Sequence, residues 1–577
     1  MKSIAKLHWV AAALLSCWLA CNHPQSDSDP LLKAFATQKH QQTEELAAKL
    51  HLEVQPDVRE FYRVAEAGDW NAVSNMYARI QRHNGQTNSV LCLPDANVLS
   101  VPLHETYGTY ATFIHWDRTL LEEYANGILQ SLPKGSVYFG GTDPGRFVIT
   151  AFRDVLKAPD IFVVTPKFSR VQYGPVIAGD LRQVGSIEMG SGYLDYLQLL
   201  YGERLSIPSN TDRQAILRQY IQEFQSRRIR GEPIDPDEGV AISDGRVQIQ
   251  GAKAAMNING ALTQWIFEHN KDKHEFYIEE SYVIPWMFPY LEPHGLILKV
   301  NKEPVAQLDP VILTRDREYW DALSKTLLAD ARFRDNKMAR KIYSKMRSAI
   351  GGVYGYRKLY EDAEYAYRQS IQLCPDSPEA NFRTSQLLLE TGRHGEAIQV
   401  LESYQKLDPS NPKIGLAIQQ ICSVKQTTAD IQQLEKQLAD QLHDFKLVVQ
   451  LAEEYFRVQQ FGRIQSLFDN FIAPPDTTAG EMLQIAQFYL SVNQPALAVR
   501  TIEQATQRFP HDADPFYALA VIQVARGATN ETLTALQHAI EIFPAVRERA
   551  RNDQQFAPLR ADAHFQTLVT NPEPVKR

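Results

Sequence analysis

The residues best suited to chemistry lie in one run, Gly140-Gly141-Thr142-Asp143-Pro144-Gly145-Arg146. Adjacent glycines let a backbone approach a ligand closely, and a helix starting at Pro144 would favour an anion at its N-terminus. In that frame Asp143 could accept from a sugar hydroxyl, and Arg146 could hold a phosphate or carboxylate through both arms of its guanidinium. The run lacks the Lys-Ser/Thr pair of a phosphate-binding loop, and Gly140, Gly141 and Gly145 do not have the dinucleotide spacing. Tight-turn glycines with Thr142 or Asp143 as helix cap explain the same residues without a ligand.

Other chemistries find less support. His104, Glu105, His115 and Asp117 are ligand types, but no His or Cys pair stands at a spacing that would set tetrahedral ligands on one helix face or hairpin. Glu279 and Glu280 would point to opposite faces of a strand, which is no arrangement for paired carboxylates. No Gly-x-Ser-x-Gly elbow occurs, and no cysteine carries a motif around it. The reading expects no catalytic residue, no metal and no cofactor, with Gly140, Gly141, Thr142, Asp143 and Arg146 as the weak ligand-binding set.

The elements that would hold this loop belong to a mixed region, 85–303. Asp117 can cap a helix through Leu120, Tyr124, Ile128 and Leu129. Ser136-Val137-Tyr138-Phe139 reads as a strand, the loop opens a helix to about Leu156, and Ile161 to Thr165 is a second strand. That order is β-α-β, with a parallel sheet and the loop at its carboxyl edge, where open α/β sheets bind ligands. Further on, Tyr193 to Leu200, Asp212 to Arg227 and Ala252 to His269 read as helices, Val240 to Gln250 as a hairpin, and Phe276 to Glu279 and Leu296 to Val300 as strands. The fold class is thus an α/β region with a Rossmann-like β-α-β core. Its strand, glycine loop, helix and strand, with Phe276-Tyr277-Ile278 and Leu291-Glu292-Pro293-His294-Gly295-Leu296, resemble the soluble C-terminal portion of bacterial glycosyltransferase- or O-mannosyltransferase-like multi-pass membrane proteins. That resemblance implies a shared soluble domain; the spanning helices where catalysis would be expected have no counterpart here.

From residue 344 onward a period takes over. Pro375 and Pro409, and again Pro510 and Pro544, stand 34 residues apart. Counting back from each proline finds small residues where paired helices must touch: Gly351, Ala363 and Ser370; Ser385 and Ala397; Ala486, Ala498 and Ala505; Ala520 and Ala539. Larger fillers, among them Tyr354, Tyr367, Leu388, Leu401, Tyr489, Ile502 and Leu536, sit between them. The pattern resembles the tetratricopeptide repeat, whose period this is. It predicts an all-α superhelix of six units over 344–546, with 412–444 and 445–478 degenerate. By that resemblance the groove that binds a partner would present Phe382, Leu389, Val449, Phe456, Leu483, Leu490, Tyr517 and Val521. The set is largely apolar and lacks the Lys/Asn combination with which some relatives clamp a peptide carboxylate.

The chain is 577 residues long, 44% hydrophobic and 22% charged, with net charge −8. That is ordinary globular material, and its acidity argues against nucleic acid as partner. Lys2 and Lys6 precede an apolar run from Trp9 to Ala20, too short to span a bilayer and of signal-peptide form. Cys21 and the polar tether to Pro30 resemble a bacterial lipoprotein signal, with Cys21 as lipid anchor; Leu14-Leu15-Ser16-Cys17 offers a second box. Cys92, Cys374 and Cys422 are too few and scattered for a disulfide framework.

The organisation expected is a signal over 1–21, a tether over 22–30, a helical segment over 31–84, the α/β region over 85–303, a helical connector over 304–343, the repeats over 344–546 and capping helices with a tail over 547–577. The function expected is a non-enzymatic, exported, lipid-anchored scaffold of the bacterial envelope, facing the periplasm and binding a protein or peptide in its groove. The alternative is an accessory of glycan processing that uses the Gly140 loop.

Overall fold

The computed structural model describes residues 29–570, apart from 87–97, 157–159, 166–168, 172–186, 190, 231, 233, 236–237, 244–245, 280–283 and 442. Cys17, Cys21 and most of the tether therefore lie outside the described residues. The chain divides into two compact units, with the boundary at Gly415 and Leu416.

In the first unit, helices α1 (Pro30–Leu50), α2 (Pro56–Ala67), α3 (Trp70–Gln86), α4 (Ser100–His115) and α5 (Arg118–Leu129) precede the sheet. Strand β1 (Val137–Gly140) leads through α6 (Ile149–Leu156) to β2 (Phe162–Val164), and β1 pairs parallel with β2. After β3 (Ser169–Val171), β4 (Ile187–Met189), α7 (Ser191–Tyr201), α8 (Asn210–Ile229), the hairpin β5 (Gly239–Ser243) and β6 (Arg246–Gln250), and α9 (Ala252–Asn270), the chain returns as β7 (Phe276–Glu279). Strand β7 lies parallel to β1 on the side away from β2. Strands β8 (Leu291–His294) and β9 (Ile297–Val300) complete a five-stranded sheet of order β2-β1-β7-β9-β8, with β9 antiparallel to β7 and to β8. The sheet is small and mixed: the parallel part ends at β7, and the two-residue turn Gly295-Leu296 makes β8 and β9 antiparallel neighbours.

Local signals explain most boundaries. The Asp117 carboxylate accepts from Thr119 N and Leu120 N at 3.0 and 3.1 Å, and Ser209 with Asp212 forms a capping box on α8. The helices before the sheet share its core rather than standing apart. Lys39 of α1, 1% exposed, lies 2.6 Å from Glu105 of α4 and 3.1 Å from Asp154 of α6, and Tyr196 of α7 donates to Glu105 at 3.1 Å. A buried ammonium between two carboxylates stays protonated, and burial works against that less than its partners favour it.

Helix α10 (Pro310–Ala329) and the short α11 (Ala331–Asp335) connect to α12 (Lys337–Tyr356), which opens the repeats. The expected start at 344 is seven residues late, since the Asn336 side chain accepts from Ala339 N at 2.9 Å and caps the helix there. Helix α12 pairs with α13 (Tyr360–Leu373), and α14 (Pro378–Glu390) with α15 (His394–Leu407). Gly351 is required at the first crossing, because a Cβ there would stand 2.6 Å from the Tyr367 ring. One hydrophobic core runs from Leu31 to Leu387, through the sheet and into these hairpins. At its join Arg347 and Asp316, 1% and 2% exposed, meet at 2.6 Å; Tyr354 donates to the same Asp316 oxygen at 2.6 Å, and Arg347 donates to Gln369 at 2.7 Å.

The expected repeat 412–444 is instead one helix, α16 (Pro412–Asp440). Nothing between Leu416 and Asp440 breaks it: the stretch contains no Gly, Pro or Asn. The second unit then carries three hairpins, α17 (Phe445–Arg457) with α18 (Phe461–Ile472), α19 (Ala479–Ser491) with α20 (Pro495–Arg508), and α21 (Ala513–Ala525) with α22 (Thr529–Ile542). They are followed by α23 (Val546–Asn552), a 3-10 turn at Gln554–Leu559, and α24 (Ala563–Thr570). Phe556, Leu559 and Phe565 bury their side chains against α21 and α22.

The Arg347–Asp316 pair gives a test of the join. Arg347→Met leaves Asp316 buried without its cation, which costs about 3–5 kcal/mol. Arg347→Met with Asp316→Leu should recover much of the lost melting temperature in thermal unfolding; a double variant no better than the single one would show that the pair does not hold the join.

Candidate functional site at the glycine loop and the repeat faces

The glycine loop closes on a carboxylate, and the carboxylate belongs to the protein. Glu279 ends β7 opposite Gly140 of β1 and is 1% exposed. Its Oε2 accepts from Gly141 N at 3.0 Å and Thr142 N at 2.7 Å, and its Oε1 accepts from the Thr142 hydroxyl and from Tyr124 OH, the latter at 3.2 Å. Gly145 is a glycine because a Cβ there would sit 1.9 Å from Glu279 Oε2. The anion-holding position foreseen for a ligand is thus filled by Glu279, a strand residue that the sequence reading set aside. The signal was present: an acid closing the apolar run Phe276-Tyr277-Ile278.

The other loop residues follow. Thr142, not Asp143, caps the helix: its hydroxyl oxygen accepts from Gly145 N at 3.0 Å. Asp143 is exposed, makes no cap bond, and pairs with Arg146 at 2.5 Å. The chain enters α6 through a π-turn at Pro144–Val148, and the Arg146 guanidinium lies 4.2 Å from the Phe147 ring centroid. The Arg146 side chain is mostly buried and spends its guanidinium on Asp143, while its Nε is buried with no hydrogen-bond partner among the described residues. Burial pushes the Glu279 carboxyl above its ordinary range, opposed by the Thr142 and Gly141 donors and by the charge of Lys345. The buried Tyr138 OH, also on this side of β1, has no hydrogen-bond partner among the described residues.

The residues weighed as metal ligands are dispersed into other work. His104 Nδ1 is 2.6 Å from Tyr77 OH, Glu105 faces Lys39, Asp117 caps α5 and His115 is exposed.

The repeat faces confirm the 34-residue pattern in detail. Ala363, Ala397, Ala498, Ala505, Ala520 and Ala539 are all fully buried, as are the fillers Leu388 and Leu536. A family model for the tetratricopeptide repeat matches residues 353–412. The helical hairpins are tetratricopeptide repeats. No curated protein matches the chain in sequence. Solved structures similar to it include MamA, at 13% identity over 36% of this chain and 94% of that one with a TM-score of 0.15. YrrB, described as a tetratricopeptide protein with an unusual peptide-binding site, has 13% identity over 39% and 94% with a TM-score of 0.15. A tetratricopeptide repeat protein from Parabacteroides merdae has 12% identity over 45% and 93% with a TM-score of 0.18. The repeat assignment rests on the hairpins and the family model.

On the first helix of each hairpin the foreseen groove positions divide. Phe382 and Leu389 of α14, Val449 of α17, Leu483 of α19 and Val521 of α21 are half-buried, while Phe456 and Leu490 are 39% and 43% exposed. Tyr517 is not a groove residue. It is 3% exposed, donates to Asp553 at 2.7 Å, and lies beneath Phe556 and the Arg549 guanidinium. The segment after Pro544 folds back onto α21 as a further helical layer and takes that position for its own packing.

The pH behaviour of Glu279 is checkable. Its folded-state value lies above the unfolded one, so the stability it contributes is complete below the ordinary carboxyl range and is lost as pH rises through the raised value. In Glu279→Gln the amide oxygen can keep the two N–H bonds while Thr142 and Tyr124 turn to accept from the amide nitrogen. The melting temperature of this variant should gain on wild type as pH rises above the ordinary carboxyl range; parallel curves would mean that Glu279 contributes no such pH dependence.

Proposed function

We propose that this protein is a lipid-anchored scaffold of the bacterial envelope whose tetratricopeptide repeats bind a protein or peptide partner. The observation that carries the reading is the apolar face of the hairpins in the second unit. On helices α17, α19 and α21 the side chains of Val449, Phe456, Leu483, Leu490 and Val521 are only partly covered, with Phe456 and Leu490 the most exposed of them. Apolar side chains kept at a solvent-facing position of a repeat are a recurrent way of binding another chain. The short apolar run ending at Cys21 supports export and anchoring, since acylation holds a soluble body at a membrane without a spanning helix. Among the described residues no helix is long and apolar enough to cross a membrane. The glycan-processing alternative loses its best support at the loop, where Glu279 stands in the anion's place.

Two measurements test the two halves of this reading. A partner recovered by affinity capture of the wild-type chain should bind Phe456→Ala and Leu490→Ala variants more weakly, each by about 2 kcal/mol, while their melting temperatures hold. Undiminished binding by both would remove the apolar face from the function. Labelled fatty acid fed to expressing cells should appear on the wild-type protein and be lost in Cys21→Ser; loss only in Cys17→Ser would move the anchor, and no label on wild type would end the anchoring proposal.

A further inference from the structure

Where the sheet meets the first repeat helix, two polar groups without partners stand near a carboxyl that has several. Glu279, 1% exposed, ends β7 opposite Gly140 of β1. Tyr138 lies two residues before Gly140 in the same strand, so its side chain leaves the sheet on the same face as Glu279. The Tyr138 hydroxyl is buried and makes no hydrogen bond among the described residues. The other group is Lys345 of α12, half-buried, whose charge acts on the Glu279 carboxyl. No carboxylate stands within ion-pair distance of Lys345 among the described residues. Helix α12 reaches this place beside Tyr124: the Tyr343 ring meets the Tyr124 ring at 6.0 Å, and Tyr124 OH donates to Glu279 at 3.2 Å.

An unpaired buried hydroxyl and an unpaired, half-buried ammonium are unfavourable to keep. Both gain a partner in one circumstance, a negative charge at Glu279. With the carboxyl protonated, the loop and α5 serve it fully: Gly141 N and Thr142 N donate to Oε2, and the Thr142 and Tyr124 hydroxyls meet Oε1. With the carboxyl ionised, a charge without water needs a further donor and a counter-charge. The Tyr138 hydroxyl is such a donor, and Lys345 is the counter-charge. We infer that Glu279, Tyr138 and Lys345 form a proton-operated contact between the sheet and the first repeat helix. Loss of the Glu279 proton draws the Tyr138 hydroxyl and the Lys345 ammonium onto the carboxylate; uptake of the proton releases both. The other groups facing the carboxyl are neutral. Tyr124 comes from α5 and Tyr138 from β1, and burial keeps both phenols protonated well above their ordinary range; Gly141 and Thr142 come from the loop, and Arg146 is engaged by Asp143. Among the described residues Lys345 is thus the one charged group that acts on Glu279. Burial raises the proton affinity of Glu279, so the stability it contributes is complete below the ordinary carboxyl range and falls as pH rises through the raised value. Tyr138 and Lys345 limit that fall.

The test follows the melting temperature of the full chain against pH. It also follows the rate at which an amine-reactive reagent modifies Lys345 relative to Lys341, read by peptide mass spectrometry. Tyr138→Phe removes a hydroxyl that has no partner while Glu279 is protonated, so at acid pH this variant should match or exceed wild type. As pH rises above the ordinary carboxyl range it should fall a few degrees below wild type. That reversal should vanish when Tyr138→Phe is made in Glu279→Gln. Lys345→Met should steepen the loss of melting temperature with rising pH in the wild-type background and not in Glu279→Gln. The modification of Lys345 relative to Lys341 should slow as pH rises in wild type and stay level in Glu279→Gln. A Tyr138→Phe effect of one sign and size at every pH, a Lys345→Met effect that persists in Glu279→Gln, or a labelling ratio that does not change with pH in wild type would each overturn the inference. A purely structural role for Tyr138 or Lys345 predicts those pH-independent outcomes. The variants leave Phe456, Leu490 and Cys21 untouched, so the result stands apart from the scaffold reading.

Discussion

The burial of α12 is the constraint on which the first unit depends. One helix presents Arg347 and Tyr354 to Asp316 of α10, Gly351 and Ser344 to α13, and Tyr343 to the Tyr124 ring beside the sheet. An Arg–Asp pair this deep gains little over an apolar pair of the same shape, because desolvation offsets most of its attraction. What it adds is direction, since a guanidinium held at once by Asp316 and by Gln369 fixes the rotation of α12 about its own axis. That rotation decides which residues of α12 face the core.

The same economy operates at the sheet. A helix N-terminus with adjacent glycines is an anion site by construction, and an unfilled one would bury several unsatisfied N–H groups. Glu279 satisfies them from the neighbouring strand, so β7, α5 and the loop after β1 are tied together at one point by two backbone N–H bonds and two hydroxyls. The cost is a carboxyl group taken from water, felt as its raised proton affinity. A loop that looks built for a ligand is thereby a structural joint.

Much of this was legible in the residues. The 34-residue period located the hairpins because helix crossings tolerate only small side chains, and Ala397, Ala498 and Ala539 are buried for that reason. Cap chemistry placed the start of α5, and the β-branched and aromatic runs placed β1, β2 and β7. The reading failed where a local signal had two outcomes. Asp143 and Thr142 are both good caps, and only the position of Glu279 selects Thr142; a degenerate repeat and a single long helix share the same period, and only the missing turn residues in 416–440 separate them.

By itself the sequence determined what depends on neighbours along the chain: helices, caps, the repeat period, and the excess of small residues at crossings. Contacts between residues far apart in the chain were decided only by the tertiary structure. Glu279 lies 137 residues from Thr142 and Lys39 lies 66 from Glu105, and no periodicity relates such pairs. Tyr517 carries the same lesson, since its repeat position offers it to a groove while the helical layer from Val546 to Leu559 covers it. The physical reason is common to all three. A buried polar or aromatic group takes its partner from whichever element the global packing brings alongside, and that choice is made by the whole core at once.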